Sequence, residues 1–463
     1  MLNKALKRNK GITLIALVVT IIVLLILAGI SINALAGHNG ILNRAIEAKE
    51  STGIAQTEEA IKVAIMEAAT KGLGTITDAN LKEALNSAGI SNDKISGDET
   101  NGWTVKTDGK DYKISSTGKM EGSTSGGDQK TLPSVAGSTI PYYPNSTFSY
   151  KEGDLESGLV IEDSSHNEYV WVEVPKTIYD DETYNGSNAN KPSGNTDYGN
   201  IEKCLKEYTK DYKYSNYSDT NSSFTTLYEN MLESVYENGG FWIGRYEAGL
   251  EEGKALRIQY VELSESDKAV IKPNMIPYNY VTRDEAQTLA TRMNYANCTS
   301  SLIFGVQWDL TLKYIETKKV TTVPYIKTKL TLDSTEIGNY RNSELMLTRG
   351  KFTRYDELLD WKDFNNEDKT GLVIGRKKIA QNYYKNAIIL TTGAAQETNL
   401  QNIYDIAGNM LEWTLEYYKD NKPCVCRGGS SFGYGSDLPA KSRSDTSTIR
   451  SNMSIGFRVG LWK

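Results

Sequence analysis

The chain has 463 residues, more than one ordinary domain holds, so two or three domains are expected. Charged residues make up 24% and hydrophobic ones 39%, which suits a soluble globular body, and the formal net charge of −6 lacks the basic excess of a nucleic-acid binder. Two histidines, His38 and His166, argue against a His-based metal or catalytic centre, and four cysteines are too few for a disulfide scaffold.

The first eleven residues carry Lys4, Lys7, Arg8 and Lys10 and no acid. Ile12–Ala36 then contains no charge, and its only polar side chains are Thr13, Thr20, Ser31 and Asn33. As a helix this run spans roughly 37 Å, enough to cross a hydrocarbon core, with the basic flank left in the cytoplasm. A buried core helix rarely stays uncharged for so long. A cleaved secretory signal is the competing reading, since Ala34-Leu35-Ala36 mimics the small-residue cleavage pattern, but the apolar run exceeds the usual length.

The residues Lys10-Gly11-Ile12-Thr13-Leu14-Ile15 resemble the type IV prepilin motif. That resemblance implies a cut between Gly11 and Ile12 by a prepilin peptidase, and retention of Ile12–Ala36 as a membrane stem handled by pilus-type assembly machinery. Pilins usually carry Glu five residues after the cut, where this chain has Ala16. A singly anchored or minor-pilin role is therefore expected rather than a bulk filament subunit. The apolar spacing continues through Ile41, Leu42, Ala45, Ile46, Ile54, Ile61, Ala64, Ile65 and Ala68, predicting an extended amphipathic helix that ends near Gly72. Leu81–Leu85 reads as a short helix, and Trp103–Ile114 as a hairpin turning at Asp108-Gly109. Residues 121–139, rich in Gly, Ser and Thr, read as a linker. The expected organisation is thus a leader over 1–11, a stem helix with a small β cap over 12–120, the linker, and a large α+β domain over 140–463.

In that domain Tyr169–Val174 and Gly240–Gly249 read as strands, Arg283–Met293 and Gln307–Ile315 as helices, and Gly456–Leu461 as a closing strand. Residues 180–230, polar and tyrosine-rich, read as a long mobile surface insertion. Tyrosine is heavily used overall, 29 residues against 8 Phe and 7 Trp, which suits exposed contact surfaces.

Five segments occur in order: Phe241–Glu247, Pro277–Ala286, Ile403–Thr414, Arg427–Ser430 and Gly456–Arg458. Together they resemble the formylglycine-generating enzyme (sulfatase-modifying factor) family, a variant of the C-type lectin fold. The family's catalytic cysteines follow the Gly-Gly-Ser element and use copper, for which soft thiolates are needed. Here Gly433 stands where the first would be, and no cysteine follows it in the sequence. The expectation is that the chain is not an enzyme of this type. A copper-dependent oxidase would have to rest on Cys424 and Cys426, which share a face if they lie on a strand. The resemblance also implies a calcium loop at Asp405, Gly408, Met410 and Glu412, since hard oxygen ligands suit Ca²⁺. The alternative is that Asp405 and Glu412 cap a turn and pair with a nearby Arg.

The segment Arg427–Arg458 also resembles the variable region of retroelement-diversified proteins. Ser431, Phe432, Tyr434, Asp437, Ser444, Asp445, Ser447 and Ile449 fit the residues that adenine-directed mutagenesis yields, whereas Lys441 and Met453 do not. The expected function is a surface-displayed binder of extracellular protein or glycan ligands through those eight residues, with the C-terminal domain outside the cell membrane. A minor pilin or pseudopilin with a passive cap is the runner-up.

Overall fold

The computed structural model describes residues 76–107, 110–116, 120–121 and 130–463, except 220–221, 296, 319–324, 348, 355–359, 364–371 and 374–386; it also describes Ile61, Ala64, Ile65, Glu67, Ala68 and Lys71. Gly11, Ile12 and the apolar run to Ala36 lie outside the described residues. Among the described residues no helix is long and apolar enough to cross a membrane. The chain divides into two compact units, 1–129 and 130–463.

In the first unit, helix α1 (Asp78–Ser87) starts at Thr77, whose hydroxyl accepts from the Asn80 N–H while the Asn80 side chain accepts from Thr77 N–H. This reciprocal cap satisfies two donors that a helix start leaves open. Strands β1 (Ile95–Asp98), β2 (Gly102–Thr107), β3 (Lys110–Ile114) and β4 (Met120–Glu121) form an antiparallel sheet in that order. Trp103, Val105, Tyr112 and Ile114 bury one face of it together with Leu81, Ala84 and Leu85 of α1. The helical residues Ile61, Ala64, Ile65 and Ala68 enter the same core. Their i, i+3, i+4, i+7 spacing is what places all four on one face.

The second unit is mixed α+β. Strands β5 (Ser149–Glu152), β6 (Val160–Glu162), β7 (Glu168–Glu173), β8 (Gly240–Gly244), β9 (Thr299–Leu302) and β14 (Val459–Trp462) form one sheet, ordered β9-β14-β8-β7-β6-β5. Strands β10 (Leu411–Thr414), β11 (Cys424–Arg427), β12 (Arg443–Thr446) and β13 (Ile455–Phe457) form a second, ordered β12-β11-β10-β13, in which only β10 and β13 run parallel. The closing segment is therefore two strands in two sheets, not one. The break falls at Arg458, whose fully buried guanidinium bonds to Gly244 O, Tyr404 O and Glu412 and so turns the chain between the sheets.

Two expectations change here. Residues 180–230 are not a mobile insertion: they hold helix α2 (Tyr198–Tyr208) and the start of helix α3 (Thr225–Asn238). Ile201, Cys204, Leu205 and Tyr212 are fully buried in the main core. The second compact unit also begins before 140, at Lys130. Thr139 is fully buried; its Oγ1 accepts from Trp171 Nε1 at 2.8 Å and donates to Gly239 O at 2.8 Å. Helices α4 (Arg283–Thr291) and α5 (Gly305–Thr317) lie where the spacing predicts them.

Candidate ligand-binding surface

Strand β11 ends in Arg427, and the loop that follows carries most of the expected contact residues. Two buried charge networks hold this region. In the first, Arg427 donates to Asp309 on α5 at 2.6 Å and to Glu416 at 3.2 Å. Arg443, which opens β12, closes the ring by donating to Asp309 at 2.8 Å and Glu416 at 2.5 Å. All four side chains are at most 5% exposed. Two cations and two anions make the ring neutral, which is the condition for burying charge at tolerable cost. The Arg427 guanidinium also lies 5.4 Å from the Trp308 ring, and Trp308 Nε1 donates to Ala440 O at 3.0 Å.

In the second network, Arg458 donates to both oxygens of Glu412, at 2.9 and 2.6 Å. Asp405 accepts from the Gly393 N–H at 2.7 Å and from Thr398 Oγ1 at 2.8 Å. Glu247 accepts from Asn409 Nδ2 and the Met410 N–H. Burial raises the pKa of all three carboxyls. Glu247 is pushed furthest, well above the usual carboxylate range, because the charges of Asp405 and Glu412 add to its burial. Of the calcium positions Asp405, Gly408, Met410 and Glu412, the two carboxylates are engaged by protein donors, Glu412 by Arg458 and Asp405 by Gly393 N–H and Thr398 Oγ1. Among the described residues no group of three or more His, Cys, Asp or Glu is placed to hold a metal. Gly408 serves backbone packing. Its φ is +74°, and a Cβ there would stand 2.5 Å from Asn339 O. Gly408→Ala is expected to cost about 1–3 kcal/mol, read as a lower denaturation midpoint; an unchanged midpoint would contradict this packing.

The glycine pair after Arg427 has the same logic. Gly429 has φ +74°, and a Cβ would lie 2.4 Å from Leu438 O, so the loop folds back on itself only with glycine. That fold-back decides where the eight expected contact residues go. Ser431 is fully buried, with its N–H bonded to Asn409 O, and so is removed from any contact surface. Phe432 packs half-buried on a cluster of Leu256, Ile389, Met410 and Met453. Asp445 lies on the same face of β12 as Arg443 and is held by Tyr217 Oη at 3.1 Å and Lys422 Nζ at 2.8 Å. Ser444 takes the opposite face, across from Cys426. Tyr434 is half-buried beneath the Arg341 guanidinium, 5.6 Å from its ring. Asp437 is exposed, Ser447 half-buried, and Ile449 84% exposed. Asp437 and Ile449 are thus exposed and Tyr434 and Ser447 partly so, while Ser431, Phe432 and Asp445 are anchored in the frame. Asp309, Glu416 and Arg443 were missed in the sequence because their partners stand up to 134 residues away.

Cys424 and Cys426 do share a face of β11, but both are buried in the core. Burial raises both thiols, Cys426 well above the ordinary range. A thiolate nucleophile or copper(I) ligand needs the opposite shift. All four cysteines are free thiols. Native protein is expected to leave Cys424 and Cys426 unlabelled by a thiol reagent at mildly alkaline pH, with labelling appearing only on unfolding; rapid native labelling would contradict their burial.

Residues 357–461 match the Sulfatase-modifying factor enzyme 1-like domain family. Among solved structures, Treponema denticola variable protein 1 matches at 12% identity, covering 49% of this chain and 85% of that one, with a TM-score of 0.26. CarF matches at 14% identity, covering 48% and 87%, with a TM-score of 0.30. No curated protein matches the chain.

Proposed function

We propose that this chain is a ligand-binding protein displayed outside the cell, taking protein or glycan ligands through the loops after β11 and β12. One observation carries the reading: Tyr434, Asp437, Ser447 and Ile449 stand accessible on loops whose bases are locked by two buried arginine networks. A rigid base lowers the ordering cost of binding, and Tyr, Ser and Asp supply contact area and adaptable hydrogen bonds. The lectin-type fold implied by the family resemblance then acts as a scaffold for a binding site rather than for thiol chemistry. The loop residues also fit retroelement diversification, which a neighbouring reverse transcriptase and template repeat would support. Delivery runs through the prepilin-like N-terminus, with Ile12–Ala36 in the membrane and the basic flank in the cytoplasm.

The test is to probe the full chain, in detergent, against glycan and surface-protein arrays beside a Tyr434→Ala/Ile449→Ala variant. Ligands whose binding falls at least about tenfold in the variant support the proposal. A ligand set unchanged by the variant refutes this surface.

A further inference from the structure

A cavity of about 190 Å³ opens between the segment after α2 and strand β12, away from the Phe432 cluster. Its floor is the Asp309, Glu416 and Arg443 part of the neutral ring, and its walls include Tyr214, Tyr217, Lys206 and Asp219. The volume exceeds the roughly 150 Å³ that holds a benzene. It falls short of the roughly 300 Å³ at which pockets for drug-sized ligands begin. One substituted six-membered ring is the size that fits.

The wall chemistry narrows the class. Tyr214 is 40% exposed, and Tyr217 stacks on Tyr418 with ring centroids 4.9 Å apart. Arg443 lies over both Tyr214 and Tyr217, at 5.0 and 5.6 Å, so the aromatic wall is held in place. The buried lining charges are already paired: Asp219 with Lys206 at 2.7 Å, and Asp309 and Glu416 with the two arginines, which leaves the exposed Lys213 as the remaining lining charge. A cationic or zwitterionic ligand would have to break one of these buried pairs, whose loss is strongly unfavourable, and an anion would meet only the solvated Lys213, an exposed contact worth little. A neutral hydroxylated ring breaks none. It donates to spare carboxylate lone pairs, accepts from lysine and hydroxyl groups, and lays its C–H face on tyrosine.

We propose that this cavity is a second binding site, taking a neutral polyhydroxylated ring such as a hexopyranose. It stands independently of the loop surface. The test titrates the full chain with glucose, galactose, mannose and N-acetylglucosamine, read by saturation-transfer NMR and calorimetry. Two exposed positions supply the variants, Tyr214→Ala to remove the aromatic wall and Ser215→Trp to fill the mouth. Saturable binding of at least one sugar, weakened about tenfold or more in both variants with unchanged melting temperature, supports the site. No sugar binding, or binding that survives both variants, overturns it. Lysine or glutamate competing for the site overturns the neutral class. Sugar affinity lost instead in Tyr434→Ala/Ile449→Ala overturns the location.

Discussion

Arg427→Met is expected to lower the stability of the C-terminal unit by about 3–5 kcal/mol, measured as the shift of the urea unfolding transition. Its removal leaves Asp309 and Glu416, 5% and 2% exposed, sharing the single cation Arg443. Two buried carboxylates beside one guanidinium is the costly case, because one negative charge stays uncompensated out of water. Lysine is not expected to rescue the site. Arg427 spans two carboxylates from NH1 and NH2 at once, which needs the planar fork. Adding Glu416→Gln to Arg427→Met should recover part of the loss, since it restores neutrality. A loss below about 1 kcal/mol for the single change would mean the ring behaves as a surface ion pair.

Arg458→Met should be at least as damaging. It removes the Glu412 partner seen among the described residues and unties Gly244 O and Tyr404 O, so the joint between the two sheets loses its clamp. It also takes away the positive charge that offsets Asp405 and Glu247. The sign of the pH dependence follows from the raised carboxyls. Folded-state pKa values above the unfolded ones mean the folded state binds protons more tightly, so lowering pH through the carboxylate range favours folding at these groups. The deficit of Arg458→Met relative to the parent should therefore be greatest at neutral pH and shrink in mild acid. A deficit independent of pH would contradict an electrostatic origin.

These networks also mark where sequence reading stops. Strands β7 and β8 and helices α4 and α5 were legible because each carries a run or period of apolar residues long enough to name its own structure. Helix α2 was not, because its fully buried face is only Ile201, Cys204 and Leu205 among tyrosines, lysines and glutamates. The closing strand was legible in type but not in its division, since nothing local says that the Arg458 side chain turns inward. Within the expected contact loop, buried Ser431 and anchored Asp445 could not be sorted from exposed Asp437 and Ile449 by residue type. Their difference arises from Asn409, Tyr217 and Lys422, brought in from distant parts of the chain. The partners of Asp405 and Glu412 met the same limit: Gly393 and Arg458 come from distant parts of the chain.

Two arginine networks fix a frame, and on this reading a few loop side chains are free to vary. A displayed library randomising Tyr434, Asp437, Ser447 and Ile449 in the full chain tests that separation directly. The expected result is that most members keep the parent melting temperature within a few degrees, since none of the four supports the core, while selection against chosen proteins or glycans returns members with new specificities. Widespread unfolding among the members, or folded libraries from which no binder emerges, would contradict it.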